Sequence, residues 1–271
     1  MKITFIGGGN MAAALIGGLV AKGHGAGDIA VVEPLAEARA RLAAQFAVRC
    51  VDSTAAAEPL GEVVVLAVKP QQMRAAAAAL RARLVRELVI TIAAGIRLAD
   101  LSRWLGGYAT LVRCMPNTPA LVGAGISGLY ANAEVRHEQR AQAAAILGAV
   151  GATLWVEREN LLDPVTAISG SGPAYVFYFI EALQQAAREM GFAVADARTL
   201  AVETFVGAAR LAAKNPEDVA LLRERVTSKG GTTERALASM DADGVKDAIV
   251  RALHAANRRA QELGEQLGAD E

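Results

Sequence analysis

The chain has 271 residues, long enough for two domains with a sizeable core. Lys plus Arg and Asp plus Glu number 28 each, and no basic stripe occurs, which argues against a nucleic-acid partner. Hydrophobic residues make up 53%, but much of that is alanine, and no run of about 18 strongly apolar, uncharged residues predicts a membrane span.

The first half alternates strand and helix patterns. Residues 3–6 form a short β-type run and 11–21 a helix-type run. Residues 29–33 and 48–51 read as strands around a helix at 35–45. Residues 63–68, VVVLAV, are an unbroken apolar strand of the kind buried on both faces of a parallel sheet. A helix at 71–84 leads to strands at 88–93 and 110–115. This βαβα order predicts an α/β, doubly wound parallel sheet of Rossmann type. Strands at 126–130 and 153–156, around a helix at 134–150, are expected to extend it.

From about Leu161 the pattern changes. No strand is expected there, and residues 173–190, 195–214, 218–225, 233–240 and 245–267 read as helices. The expected division is therefore 1–160 for a dinucleotide-binding domain and 161–271 for an all-α domain. Pro173 suits the first turn of its helix, where a missing N–H costs nothing. Residues 175–180, YVFYFI, are apolar on every side, and a helix apolar all round is a buried one. The small helical half has difficulty burying it alone, so a second subunit is expected to cover it.

Gly7, Gly8, Gly9, Asn10, Met11 and Ala12 spell G-x-G-x-x-A after a strand and at the opening of a helix. In a dinucleotide site the first glycine makes the tight turn, the second admits the pyrophosphate, and a small residue at Ala12 permits close helix–strand packing. Glu33 ends the second strand, where an acidic residue takes the ribose hydroxyls of NAD and repels a 2′-phosphate. That favours NADH over NADPH, although Arg39 and Arg41 on the next helix are near enough to lean in. Two further turns, Ala67-Val68-Lys69-Pro70 and Ala93-Ala94-Gly95, lie at the carboxyl ends of strands, where open α/β sheets bind ligands. Lys69 is either a contact to the nicotinamide ribose or a substrate carboxylate, or a surface lysine before a turn-forming proline.

A second Gly-rich loop lies in VTSKGGTTERAL at 226–237. Gly230 and Gly231 let the backbone approach a ligand, and the helix that follows offers free N–H groups with the hydroxyls of Thr232 and Thr233. Such a loop holds a carboxylate or a phosphate; the alternative is simple helix capping by the threonines. Two anion sites in one chain suit a cofactor enzyme with a small acidic substrate. Cys50 and Cys114 read as reduced thiols of a cytoplasmic protein, and the scattered His24, His137 and His254 make no metal pattern. Lys2, a short apolar strand and a Gly loop do not make a signal peptide.

These motifs, with RCMPNTPALVGAG at 113–125 and ISGSGPAYVF at 168–177, follow one another in an order that resembles the pyrroline-5-carboxylate reductase family nearly end to end. VTSKGGTTERAL is similar to that family's own signature. The resemblance implies a Rossmann domain followed by a helical domain that dimerises by interleaving helices, as a homodimer or an assembly of such dimers. It implies hydride transfer from NADH or NADPH to the C=N carbon of 1-pyrroline-5-carboxylate, giving L-proline. Carried over, the substrate carboxylate falls to Gly230, Gly231, Thr232 and Thr233, with Ser228 nearby and Thr233 close to the ring nitrogen. The cofactor contacts fall to Gly7 through Ala12, Ala67 through Pro70, Ala93 through Gly95, and the turn containing Pro116 and Asn117. A family acidic residue corresponds to Glu159. Lys229, Arg225 and Glu33 depart from residues common in the family, which bears on cofactor preference rather than on the reaction.

The chemistry fits what the chain lacks. Imine reduction requires no nucleophile, metal or carboxylate pair, because the C=N bond is already electrophilic and the hydride comes from the cofactor. Thr233, Ser228 and Lys69 are then the candidates nearest the reaction, with Thr233 orienting the nitrogen. A β-hydroxyacid dehydrogenase is disfavoured, since the Gly-Ser-Gly stretch ending at Gly172 is followed by no lysine over 173–181. A dinucleotide-binding sensor without turnover has no evident use for the second anion loop.

Overall fold

The computed structural model describes residues 1–269. The chain divides into two compact units: Met1–Ser171 together with the chain from Ala256 onward, and Gly172–Ala255.

The first unit carries one eight-stranded sheet, in the order β3-β2-β1-β4-β5-β6-β7-β8. The strands are β1 (Ile3–Ile6), β2 (Ile29–Val32), β3 (Arg49–Val51), β4 (Val63–Leu66), β5 (Leu88–Thr91), β6 (Leu111–Met115), β7 (Gly125–Ala131) and β8 (Gly151–Trp155). The first six are mutually parallel. The chain starts at β1, winds outward to β3 and returns to β4, so the order reverses between β1 and β4. That is where open α/β sheets bind ligands. β7 runs antiparallel to β6 and β8 parallel to β7, so the last two strands oppose the rest. The expected doubly wound parallel sheet is present in the first six strands, and the two strands expected to extend it do so in the opposite direction. The reason is the short connection 116–124, which holds a 3-10 turn (Thr118–Val122) but no crossover helix, and a parallel return needs about a dozen residues or more.

Residue alternation along the strands sorts the core onto two faces. Val63 and Val65 join Phe5, Leu15, Ile16 and Leu42 under α1 (Asn10–Ala21) and α2 (Ala36–Phe46). Val64 and Leu66 join Met73, Leu80 and Leu101 under α3 (Met73–Leu80) and α4 (Leu98–Trp104). All four β4 residues are completely buried, as the unbroken apolar run predicts. The strand is shorter than that run, because Ala67 and Val68 leave the sheet to form a turn. The helix expected at 71–84 is a 3-10 turn (Pro70–Gln72) followed by α3, and that expected at 134–150 is α5 (His137–Leu147) plus a 3-10 turn. α4 is not among the predicted elements. Its signal is Leu98, Leu101 and Leu105 at i, i+3 and i+7, all buried, over a seven-residue helix and its C-cap, Leu105. Residues 159–171 also carry structure that the periodicity does not reveal: α6 (Leu162–Val165) and a π-helical turn (Thr166–Gly170).

The second unit is helical throughout: α7 (Gly172–Glu189), α8 (Val194–Lys214), α9 (Val219–Arg225), α10 (Thr232–Ala242) and the start of α11 (Val245–Gly268). α7 and α8 pack through Phe179 and Phe205, whose rings lie 6.5 Å apart. No residue of α7 is buried in the single chain, and Phe177 and Tyr178 are 60% and 71% exposed. Among the described residues no helix is long and apolar enough to cross a membrane.

Candidate active site

The glycine loop follows β1 directly. Gly7 has φ +102°, and a methyl group there would lie 2.7 Å from the Ala67 carbonyl oxygen. Only glycine satisfies both, and the close approach brings the β1 and β4 turns together. Gly9 caps α1 in an extended conformation with no side chain in the way; nothing lies within 4 Å of where its Cβ would be. The first helical bond runs from Ala13 N–H to Gly9 O, 2.9 Å, so the N–H groups of Asn10, Met11 and Ala12 precede the helical ladder. Ala12 is 1% exposed, packed in the core beneath the helix. The loop thus has the open, positively polarised mouth that a pyrophosphate needs.

Glu33 stands one residue past β2. Its carboxylate accepts from Gly8 N–H at 2.9 Å and from Leu35 N–H at 3.0 Å, which fixes it beside the glycine loop. Arg39 turns toward the backbone instead: its Nη1 donates to the carbonyls of Glu33, 2.8 Å, and Pro34, 2.7 Å. Arg41 is exposed. In the β4 turn Ala67 and Val68 are half-buried, and Lys69 is exposed at the cap of the 3-10 turn that Pro70 opens. Ala93 and Gly95 are buried, with Ala94 between them half-buried. Pro116 is buried too, and Asn117 is tied on both sides: Nδ2 donates to Ser169 O at 3.1 Å, while Oδ1 accepts from Ile126 N–H at 2.9 Å. Asn117 therefore joins the turn after β6 to the π-helical turn and to β7.

In the second unit, Gly231 is the N-cap of α10, and Thr232 and Thr233 are its first two residues. This corrects the predicted start at residue 233 and removes helix capping as the role of the threonines, because a glycine holds the cap position. Neither threonine hydroxyl has a hydrogen bond among the described residues. The first helical bond runs from Arg235 N–H to Gly231 O, 3.2 Å, so the N–H groups of Thr232, Thr233 and Glu234 precede the ladder. Gly231 N–H donates to Ser228 O at 3.0 Å, and Gly230 N–H to Glu234 Oε2 at 2.6 Å. Lys229 and Ser228 are exposed, and Arg225 forms a two-pronged pair with Glu217 at 2.5 and 2.6 Å. The result is a second helix N-terminus with two unengaged hydroxyls, chemically suited to a carboxylate.

The comparisons decide the family. A 49% identical relative, the pyrroline-5-carboxylate reductase of Pseudomonas aeruginosa, aligns over 98% of this chain and 98% of its own. The chain belongs to the pyrroline-5-carboxylate reductase family. A family model described as pyrroline-5-carboxylate reductase dimerisation matches residues 159–263, and one described as NADP oxidoreductase coenzyme F420-dependent matches residues 2–95. A solved pyrroline-5-carboxylate reductase of Coxiella burnetii, 39% identical, superposes with a TM-score of 0.93 over 97% of this chain and 98% of that one. The Plasmodium falciparum enzyme, solved with NADP bound, is 27% identical with a TM-score of 0.86 over the same shares.

In this family member an ion triad, buried at Arg113 and Asp163 and half-buried at Glu159, ties the first unit together, and sequence reading missed two of its three residues. Arg113, on β6, is 4% exposed; its Nη1 donates to Glu159 Oε1 at 3.1 Å and its Nη2 to Asp163 Oδ1 at 3.2 Å. Glu159 Oε1 also accepts from Leu98 N–H, 2.8 Å, at the start of α4. Arg113 and Asp163 left no local signal, because partners nearly fifty residues apart on different elements share no spacing rule. Two nucleophile-type side chains of the first unit, Ser169 and Cys114, are engaged or inert. Ser169 Oγ donates to Val165 O at 2.9 Å inside the π-helical turn. Burial pushes the Cys114 thiol up to about 12, so no thiolate forms there near neutral pH.

Proposed function

We propose that this chain reduces the C=N bond of 1-pyrroline-5-carboxylate with a hydride from NADH or NADPH, giving L-proline. The observation that carries this reading is the open N-terminus of α10 in a chain aligned end to end with reductases of that name. The cofactor's fit is supported by the glycine loop, where the uncrowded Gly9 and the first-turn N–H groups of α1 suit a pyrophosphate. When bound, the dihydronicotinamide supplies the hydride.

The residues supply position. Gly230, Gly231, Thr232 and Thr233, with Ser228, hold the substrate carboxylate. The hydride adds to the imine carbon, the π pair moves to nitrogen, and nitrogen carries one proton from solvent. Thr233 orients that nitrogen, because its free hydroxyl both donates and accepts. Lys69, Val68, Ala67 and Pro70, with Ala93, Ala94, Gly95, Pro116 and Asn117, line the cofactor site at the carboxyl ends of β4, β5 and β6. Glu159, engaged by Arg113 and α4, is assigned to holding these turns in place as well as facing substrate. Functionally, the expected division assigns the dinucleotide to residues 1–160 and substrate and dimerisation to 161–271, except that residues 161–171 and the end of α11 pack with the first unit. We assign the protein to the cytoplasm as a homodimer, or an assembly of homodimers, consistent with two free thiols and the apolar surface of α7.

Glu33 supports NADH over NADPH, because its fixed carboxylate repels a 2′-phosphate and Arg39 is turned to the backbone. The test is loss of reduced-cofactor absorbance with and without pyrroline-5-carboxylate. Consumption that depends on substrate, with higher kcat/KM for NADH, is expected. A folded protein that binds cofactor without turnover is a sensor and sinks the reading; a clear preference for NADPH sinks the Glu33 assignment alone.

A further inference from the structure

The C-terminal turns of α11 roof one of the cofactor turns. Gly95 has φ +76°, and a methyl group there would lie 2.8 Å from Leu267 Cδ1, with the backbone of Leu263 and Gly264 next. Leu267 packs against the same cluster as Leu98 and Leu101 beneath it. The helix end is then anchored by three arginines of the first unit. Arg97 Nη2 reaches Gln261 O at 3.5 Å and lies 3.6 Å from Glu265. Arg103 Nη2 donates to Gly268 O at 2.7 Å, and Arg74 Nη2 to Ala269 O at 2.9 Å. Cations on the last carbonyls of a helix satisfy groups with no helical partner and complement the negative end of its dipole. The docking face is also made thin. A methyl at Gly264 would lie 3.2 Å from Arg97 Nε, and one at Gly268 would fall on the Asp100 carboxylate. A helix that merely ended in solvent would need neither the glycines nor the arginines.

We infer that Leu267 and the arginine-anchored end of α11 are positioning parts of the cofactor site: they hold the Ala93-Ala94-Gly95 turn in the shape that receives the dinucleotide. This rests on reading that turn as a cofactor contact. A glycine turn with positive φ has many conformations when unsupported, and packing on one side leaves one of them. Binding then avoids the cost of ordering the turn, which is how preorganisation raises affinity. Substrate held at the α10 loop gains nothing from this support, so the effect falls on the cofactor.

The test uses the full chain with Leu267→Ala, the milder surface variant Arg103→Gln, and Leu267→Met, which preserves the packing. Cofactor Kd is measured by nicotinamide fluorescence without substrate, alongside substrate KM at saturating cofactor, kcat and Tm. Leu267→Ala is expected to raise cofactor Kd about threefold or more, Arg103→Gln by less, and Leu267→Met to restore it, with substrate KM unchanged. If Leu267→Ala and Arg103→Gln lower Tm yet bind cofactor as tightly as the parent, the helix end is only a structural cap and the inference is wrong. Should Leu267→Ala fail to fold, Arg103→Gln decides by the same criterion. A parent protein that binds no cofactor refutes the proposed function and this inference with it, whereas unchanged variants of a binding parent refute this inference alone.

Discussion

The proposed role of Thr233 would separate function from stability at a single atom, its hydroxyl oxygen. At the second position of α10, with Gly231 as cap, it makes no bond that the helix needs. A true capping threonine would cost about 1 kcal/mol on removal. Thr233→Ala is therefore expected to leave Tm unchanged while kcat/KM falls about 10- to 100-fold, the loss of one hydrogen bond to a charged ligand. Steady-state kinetics beside thermal melts check this; near-parental turnover with a lowered Tm would return the residue to a capping role. The glycine loop was legible at this scale because each requirement is local. Gly7 must turn with positive φ against Ala67, and Ala12 must be small, so residue type and spacing carried the information. The position of Glu33 at the end of the second strand was legible in the sequence, but its two N–H donors and the turning away of Arg39 are matters of tertiary geometry.

Among elements, the Arg113 triad joins β6 to α6 and to the N-terminus of α4. A buried pair costs desolvation when formed, but removing one partner strands the other charges. Arg113→Met leaves Glu159 and Asp163 facing each other without a cation, and is expected to destabilise the fold by about 3–5 kcal/mol. Urea unfolding measures this; a loss under about 1 kcal/mol would show that water reaches the carboxylates and screens them. None of the triad's connections was readable from periodicity. α4 escaped for a different reason: seven residues give under two turns of pattern, although Leu98, Leu101 and Leu105 do mark a face. β7 was foreseen as a strand, but its direction was set by the short 116–124 connection rather than by its own residues.

For the whole molecule, the second unit exposes an aromatic surface that one chain leaves uncovered. Phe177 and Tyr178 of α7 are mostly exposed, and such a surface marks an association site. With the dimerisation model matched at 159–263, the expected assembly is a homodimer. Light scattering should return twice the chain mass, and Phe177→Glu should shift it toward the monomer and make Tm more concentration-dependent. A parent that stays monomeric at micromolar concentration would count against dimerisation through α7. By itself the sequence determined the parallel α/β half, the helical half, the two Gly-rich loops that open helices and the family, because period, turn chemistry and motif order are local properties of the chain. Only the tertiary structure decided that β7 and β8 run against the sheet, that Arg113 answers Glu159 and Asp163, that Gly231 caps α10, and that the end of α11 closes over Gly95. Those depend on residues far apart in sequence meeting in space, and no spacing rule along one chain encodes such meetings.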